Sequence, residues 1–200
     1  MKRIIFIYAF LICTPFCLFS QFRNGVVLEM ADSWVRRQAS MYTRPDDPYT
    51  PILESDKWHP SFSFNIGYKI QYESKRYMYD LSLAYQNRGI GVTFIDETEK
   101  QTTRLQSVGM TISVNRFVWN RLFVGIGACP SYYWDNRTFN NKQKTYWDIA
   151  AMGQIGFDFQ FMQVSVFYKN GFKPVLEYLK STQRVYTRDF GISVFVPLKF

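Results

Sequence analysis

The chain has 200 residues, a formal net charge of +8 at pH 7, and nearly as many aromatic (19 %) as charged (20 %) residues. Beyond the first twenty residues, its lysines and arginines are scattered mostly singly, with Arg36-Arg37 and Lys75-Arg76 as adjacent pairs. No phosphate-tracking stripe is therefore formed, and nucleic-acid binding is not expected. The net positive charge instead favours contact with anionic lipid headgroups or sugars.

The first twenty residues have the pattern of an export signal. Lys2 and Arg3 precede an apolar stretch over residues 4–19, and a small residue, Ser20, comes just before Gln21. A single membrane-spanning helix is the alternative, but Pro15 interrupts the stretch and the chain becomes polar directly after it. We therefore expect a signal peptide over residues 1–20, whose removal leaves a charge of 22 − 16 = +6 on residues 21–200.

The cysteine count limits the chemistry. Cys13 and Cys17 lie in the predicted leader, so Cys129 is the one cysteine left in the mature chain. An intramolecular disulfide and a Cys-rich metal site are thereby excluded. The sequence also contains no Gly-rich phosphate loop, metal-ligand cluster or nucleotide signature, and we expect neither a metal nor a cofactor.

Alternation with a period of two dominates the rest of the chain. After a weak first strand, the clearest case is the stretch from Phe62 to Tyr72, where large apolar residues alternate with polar or small ones. The same period recurs and gives about eight strands. The predicted strands cover residues 25–30, 62–72, 77–86, 108–115, 122–129, 147–158, 163–169 and about 185–200.

The predicted connections alternate strictly between long and short. The long ones are residues 31–59, 87–102, 135–145 and 170–184, and the short ones are 73–76, 116–120 and 159–161. An up-and-down barrel in a bacterial outer membrane has short periplasmic turns and long external loops. A soluble eight-stranded barrel or sandwich is the alternative, but the polar face here is mostly small residues, suited to a narrow interior, while the apolar face carries large aromatics. The sequence therefore predicts an all-β, antiparallel transmembrane barrel over residues 21–200.

Three stretches carry a family resemblance: LSLAYQNRGI (residues 81–90), RLFVGIGACPSYYW (residues 121–134) and the end of the chain, RDFGISVFVPLKF. They resemble the small outer-membrane β-barrel proteins of the porin-like superfamily. The resemblance implies that the last strand is an assembly signal read by the barrel-assembly machinery, with Pro197 as a departure from the pattern. The residues of this row are Phe190, Ile192, Val194, Val196, Leu198 and Phe200.

Charged residues fall on the face predicted to line the lumen, and we expect them to form a network of ion pairs and water that plugs the barrel, with a proton or ion path as the alternative. They are Lys69, Asp80, Asp148, Asp158, Lys169 and Asp189. Aromatic residues at strand ends are expected to be membrane-interface anchors. A sugar-binding platform is the alternative for four of them, namely Tyr132, Tyr133, Trp134 and Trp147.

These observations predict a non-enzymatic outer-membrane barrel of a Gram-negative cell envelope with long external loops. Its expected partners are outer-membrane lipid, the assembly machinery during biogenesis, and a surface sugar or protein. One alternative is a lipid-modifying enzyme at the rim, where His59 and Ser61 lie near Glu54. The other is an accessory subunit of an envelope secretion or transfer machine.

Overall fold

Eight antiparallel strands close into a barrel in the computed structural model, which describes residues 22–38, 42–44, 47–52, 57–93, 101–135, 146–173, 176–177 and 184–198. The predicted leader and Phe200 lie outside these residues. The barrel strands are β1 (Phe22–Gln38), β2 (Ser61–Ser74), β3 (Tyr77–Thr93), β4 (Gln101–Trp119), β5 (Leu122–Asp135), β6 (Tyr146–Asp158), β7 (Gln163–Gly171) and β8 (Arg184–Pro197).

Each strand pairs with its sequence neighbour, and β1 closes the barrel against β8 in a register running from Gly25↔Pro197 to Gln38↔Arg184. Closure satisfies backbone groups that an open edge would leave unpaired. Shorter strands occur in addition to these eight. Lys57–His59 pairs with the end of β3 and Leu176–Glu177 with the start of β8, while Tyr42–Arg44 and Asp47–Ile52 form a separate two-stranded sheet. Among the residues that the structure describes, no helix is long and apolar enough to cross a membrane.

Three tight connections lie at one end of the barrel, which we call the turn end. They join β2 to β3 at Lys75, β4 to β5 at Asn120, and β6 to β7 at Gln160. Asn120 (φ 44°) and Gln160 (φ 72°) adopt the left-handed backbone conformation that such turns require. The start of β1 and the end of β8 lie at this same end. The opposite end, which carries the longer connections, is called the loop end.

The strands reach further toward the loop end than the sequence predicted. The first strand, predicted over residues 25–30, extends to Gln38, and residues 87–93 and 101, predicted as part of a loop, belong to the β3–β4 ladder. These predictions were wrong in extent because the outward face becomes polar there while the inward face stays buried, so that apolar and polar residues no longer alternate. Outward-facing Asn87, Thr102 and Arg104 show this change, since they are polar while the backbone pairing continues.

Burial alternates along the strands with the polar side inward. In β2, Ser63, Asn65, Lys69 and Gln71 are buried, while the intervening aromatic and aliphatic side chains are exposed. This is the reverse of a water-soluble barrel, in which the apolar face forms the core. A few large apolar side chains also point inward, including Met78, Leu105, Phe123, Phe167 and Phe195.

Candidate functional site

A cluster around Asp80 fills the interior toward the turn end. The Asp80 carboxylate accepts hydrogen bonds from Gln71 Nε2 (2.8 Å), Asn115 Nδ2 (2.9 Å) and Lys69 Nζ (3.3 Å). Gln163 Oε1 joins the same cluster by accepting from Lys69 Nζ at 3.0 Å and from Gln71 Nε2 at 3.1 Å. Side chains from β2, β3, β4 and β7 therefore meet across the lumen.

The turn-end rim of the lumen is crossed by an arginine. Arg23 donates both terminal nitrogens to Asp158, at 2.5 Å and 3.1 Å, and Nη2 also lies 2.9 Å from Glu73 Oε2. This bidentate pair links the beginning of β1 to the end of β6 on the far side of the barrel. The pair therefore lies across the lumen at the turn end, below the Asp80 cluster.

The middle of the lumen holds a buried lysine. Lys169 Nζ lies 2.6 Å from Glu29 Oε2, which also accepts from Asn65 Nδ2 at 2.7 Å. The ammonium is 1 % exposed and lies 4.5 Å from the centre of the Phe167 ring, so an aromatic face covers it as well. An ammonium group buried this deeply requires a neighbouring anion, because an unpaired buried charge would destabilise the folded protein.

Arg88 fills the interior toward the loop end. Its Nη2 lies 2.9 Å from Asp189 Oδ2, and its Nη1 donates a short hydrogen bond to Tyr133. Asp189 also accepts from Ser33 Oγ at 2.6 Å. Nearby, Asp148 accepts from Thr187 Oγ1 and from the backbone N–H of Lys173, both at 3.1 Å.

The six charges named from the sequence all have buried side chains directed into the lumen. The structure pairs Lys69 with Asp80. It gives Lys169, Asp189 and Asp158 ion-pair partners that the sequence analysis did not single out, namely Glu29, Arg88 and Arg23, respectively. Asp148 instead accepts hydrogen bonds from Thr187 and Lys173. A signal for two of the three ion-pair partners existed. Glu29 lies two residues after inward-facing Val27, and Arg88 lies eight residues after inward-facing Asp80, so alternation places both on the inner face. Arg88 was missed because residues 87–102 were predicted to be a loop.

The charged side chains of this interior lie in ion pairs, and Asp148 accepts hydrogen bonds. Arg88 faces Asp189 without a hydrogen bond from its Nε or Nη2. No group of three or more metal-ligating side chains occurs among the described residues. At the loop end, His59 and Ser61 flank Pro60 and are both partly buried. Glu54, the acid considered with them, lies outside the described residues.

The outer surface is an apolar band with an aromatic row at each end. Trp147 and Phe157 are both exposed on β6 and lie ten residues apart. At about 3.4 Å per residue and a tilt of about 40°, this spans about 26 Å along the barrel axis, close to the roughly 25 Å apolar band of outer-membrane barrels. An exposed apolar band of this height, with aromatic residues at both edges, is suited to contact with the lipid bilayer. The chain has the fold of a small outer-membrane β-barrel.

The two aromatic rows consist of contacting rings on the outside of the barrel. The turn-end row contains the contacts Phe22–Tyr72, Tyr72–Tyr79, Phe157–Phe159 and Phe159–Phe161. The loop-end row contains Trp34–Tyr168, Phe64–Tyr85, Tyr85–Trp134 and Tyr132–Trp147. The sugar platform considered from the sequence does not form as one surface, because Tyr133 points into the lumen while Tyr132, Trp134 and Trp147 point outward.

The last strand also faces lipid. Phe190, Ile192, Val196 and Leu198 are exposed, and Val194 is half-buried on the same outer face. Pro197 is accommodated at the strand end, where the ladder resumes with the N–H of Leu198 donating to Asn24 O at 2.8 Å. The assignment of this row as an assembly signal remains a proposal.

Solved structures share this fold at low sequence identity. OprG of Pseudomonas aeruginosa is 11 % identical with a TM-score of 0.51, and the match covers 88 % of this chain and 91 % of OprG. Neisserial surface protein A is 9 % identical (TM-score 0.49; 88 % and 97 % covered). Ail of Yersinia pestis, solved with the heparin analogue sucrose octasulfate, is 11 % identical (TM-score 0.46; 89 % and 99 % covered). Neither protein-family profiles nor curated proteins give a match to the chain.

Proposed function

We propose that this protein is a non-enzymatic outer-membrane barrel that acts through its loop end, by contact with a surface sugar, a protein partner or the envelope itself. The observation that carries the proposal is the filled interior. Ion pairs and amides occupy the lumen at the rim (Arg23), near the turn end (Asp80), in the middle (Lys169) and toward the loop end (Arg88). A barrel without a passage leaves its ends and its outer face as the surfaces for function.

The loop end carries a surface of paired strands that is available for such contact. The β3–β4 ladder continues beyond the aromatic row, from the pair Tyr85↔Val108 to Val92↔Gln101. Seven further residue pairs correspond to about 24 Å along the strands. Lys57–His59 adds a third strand to this projection through its pairing with Gly91–Thr93. Paired backbone extending this far past the lipid band supports a role in the space outside the membrane.

The location can be tested with single cysteines introduced into a Cys129→Ser background on intact cells. Thr102→Cys lies on the projection and should react with a membrane-impermeant maleimide, whereas Lys75→Cys lies in a turn at the opposite end and should react only after the cells are opened. Labelling of position 75 with protection of position 102 would invert the orientation. In that case the contact surface proposed here would face the periplasm.

The rim-enzyme alternative has its own test. If His59 activated Ser61 toward lipid, His59→Ala would change the mass spectrum of lipid A from cells that express the protein. We expect identical spectra for wild type, His59→Ala and Ser61→Ala. A modification that is present in wild type and lost in both variants would replace the non-enzymatic proposal. Co-purification with a defined envelope complex would favour the accessory-subunit alternative.

A further inference from the structure

A charged residue interrupts the lipid-facing surface at the turn end. Arg116 is exposed on β4, in line with the outward-facing Val114 and Val118. Across the ladder it lies between Tyr77 on β3 and Val124 on β5, both of which are also exposed. Among the strand residues whose side chains the structure describes, it is the one charged residue on the outward face at this end. A guanidinium placed among apolar and aromatic groups must reach the lipid headgroups to be solvated.

Two further basic residues lie beside Arg116. Lys75 and Arg76 form the turn that joins β2 to β3, and both are exposed. The N–H of Phe117 donates to Arg76 O at 3.0 Å, which continues the β3–β4 ladder and places Arg76 one ladder position from Arg116. Three basic residues therefore lie close together at one point of the rim, and we call Lys75, Arg76 and Arg116 the basic patch.

The acidic residues of the turn-end rim are engaged elsewhere. In the described part of the chain they are Glu73 and Asp158, and both form ion pairs with Arg23, at 2.9 Å and 2.5 Å. No ion pair joins a described acidic residue to the basic patch. The patch therefore carries positive charge that these acidic residues do not neutralise.

Aromatic residues place the patch at the level of the lipid headgroups. Trp119, the last residue of β4, lies three residues after Arg116 and is 78 % exposed. Tyr77 and Tyr79 are exposed on the neighbouring strand. Tryptophan and tyrosine side chains prefer the boundary between the apolar core of a membrane and water. An arginine that points outward from the barrel wall at this level meets lipid, whereas a soluble partner would meet the turns at the end of the barrel.

We propose that the basic patch binds an anionic phospholipid, whose headgroup phosphate accepts hydrogen bonds from the Arg116 guanidinium. A zwitterionic headgroup brings an ammonium together with its phosphate and leaves the charge of the patch uncompensated, whereas an anionic headgroup compensates it. Lys75 and Arg76 add to this attraction from the adjacent turn. The proposal depends on membrane insertion of the barrel, and it is independent of what the loop end contacts.

The experiment compares lipids that differ in the net charge of the headgroup. Full-length protein is reconstituted in an equimolar mixture of phosphatidylglycerol, phosphatidylethanolamine and phosphatidylcholine with identical acyl chains. The lipids retained after mild detergent extraction are quantified by native mass spectrometry. A basic residue near an anionic surface contributes about 1 kcal/mol, which corresponds to about fivefold in retention. We expect wild type to prefer phosphatidylglycerol over both zwitterionic lipids by at least about this ratio. Equal retention of the three lipids, or a preference for a zwitterionic one, would reject the site and leave the patch to an acidic partner in water.

Two variants and one control locate the preference. Arg116→Gln should lower it about fivefold, while Arg116→Lys should keep most of it, because the positive charge is retained. Arg104→Gln removes an outward-facing arginine near the loop end and changes the net charge by the same amount, so it should leave the preference unchanged. A preference that survives Arg116→Gln would overturn the proposal, as would an equal loss in Arg116→Lys or in Arg104→Gln.

Insertion of each variant is checked by the heat-dependent shift on a detergent gel, so that a folding defect is not mistaken for lost lipid binding. If Arg116→Gln does not insert, the double variant Lys75→Gln/Arg76→Gln takes its place, because it changes exposed side chains in a turn. The double variant must also lower the preference for phosphatidylglycerol, and an unchanged preference would reject the basic patch as the site.

Discussion

Arg88 Nη2 lies 2.9 Å from Asp189 Oδ2 inside the barrel, and both side chains are almost fully buried. The contact joins β3 to β8 across the lumen rather than between neighbouring strands. Such cross-lumen pairs stabilise the shape of the barrel, because each connects strands that are not joined by backbone hydrogen bonds. We therefore expect the filled interior to contribute to stability and to leave no open passage.

Removing one partner of this pair should be costly. Arg88→Met leaves the Asp189 carboxylate buried without its cation, and we expect the free energy of unfolding to fall by roughly 3–5 kcal/mol. Asp189→Leu should have a similar effect, while the double variant should be clearly more stable than the sum of the two losses predicts. Urea unfolding of protein refolded in detergent gives these values. Additive losses in the double variant would mean that the two side chains do not interact.

Two glycines in neighbouring strands provide a matched test of interior packing. A Cβ added at Gly125 would lie 1.8 Å from Asn115 Oδ1, within the Asp80 cluster, whereas a Cβ at Gly153 meets no atom within 4 Å. Gly125→Val should therefore lower the free energy of unfolding by about 1–3 kcal/mol through overpacking. Gly153→Val should be nearly neutral, because its side chain points outward. Equal effects of the two substitutions would contradict a tightly filled lumen.

The alternation of residues predicted the fold because a strand shows its two faces directly in the sequence. In the stretch from Ser61 to Ser74, every second residue is polar or small, and the structure buries most of that set. The tight connection at Lys75 was also recognisable, because the polar residues 73–76 interrupt the alternation there. The eight-stranded membrane barrel predicted from the sequence is confirmed.

The partners inside the lumen could not be derived in the same way. Lys169 contacts Glu29 and Arg23 contacts Asp158 across 140 and 135 residues of chain, through the tilt and stagger of strands that are not adjacent in sequence. Alternation along one strand shows whether a residue faces the lumen or the lipid. It does not show the position of that residue along the barrel axis relative to residues on the opposite strands. The stagger of the closed barrel sets that position, and no local pattern encodes it. The outward-facing Arg116 was missed because residues 116–120 were predicted to be a turn.

Phe200 provides a test of the assembly-signal proposal. The row that precedes it faces lipid, so deletion of Phe200 should cost about as much stability as one buried aromatic side chain, roughly 1.5–3 kcal/mol. If the residue is recognised during assembly, the amount of heat-shifted protein in cell membranes should fall far more than this loss explains. Ile192→Ala, a truncation within the same row, is the control for lost lipid contact. Normal insertion in cells combined with a clearly destabilised refolded barrel would make Phe200 a packing residue.

Conductance across a planar lipid bilayer tests the central claim most directly. Purified protein, shown to be folded by a heat-dependent shift on a detergent gel, is inserted at low density and recorded over a range of voltages. The filled lumen predicts no stable open channel of porin size. The ion pairs inside it are Arg23–Asp158, Lys69–Asp80, Lys169–Glu29 and Arg88–Asp189. A reproducible large conductance carried by the folded protein would contradict a filled barrel and, with it, the proposal that function resides at the loop end.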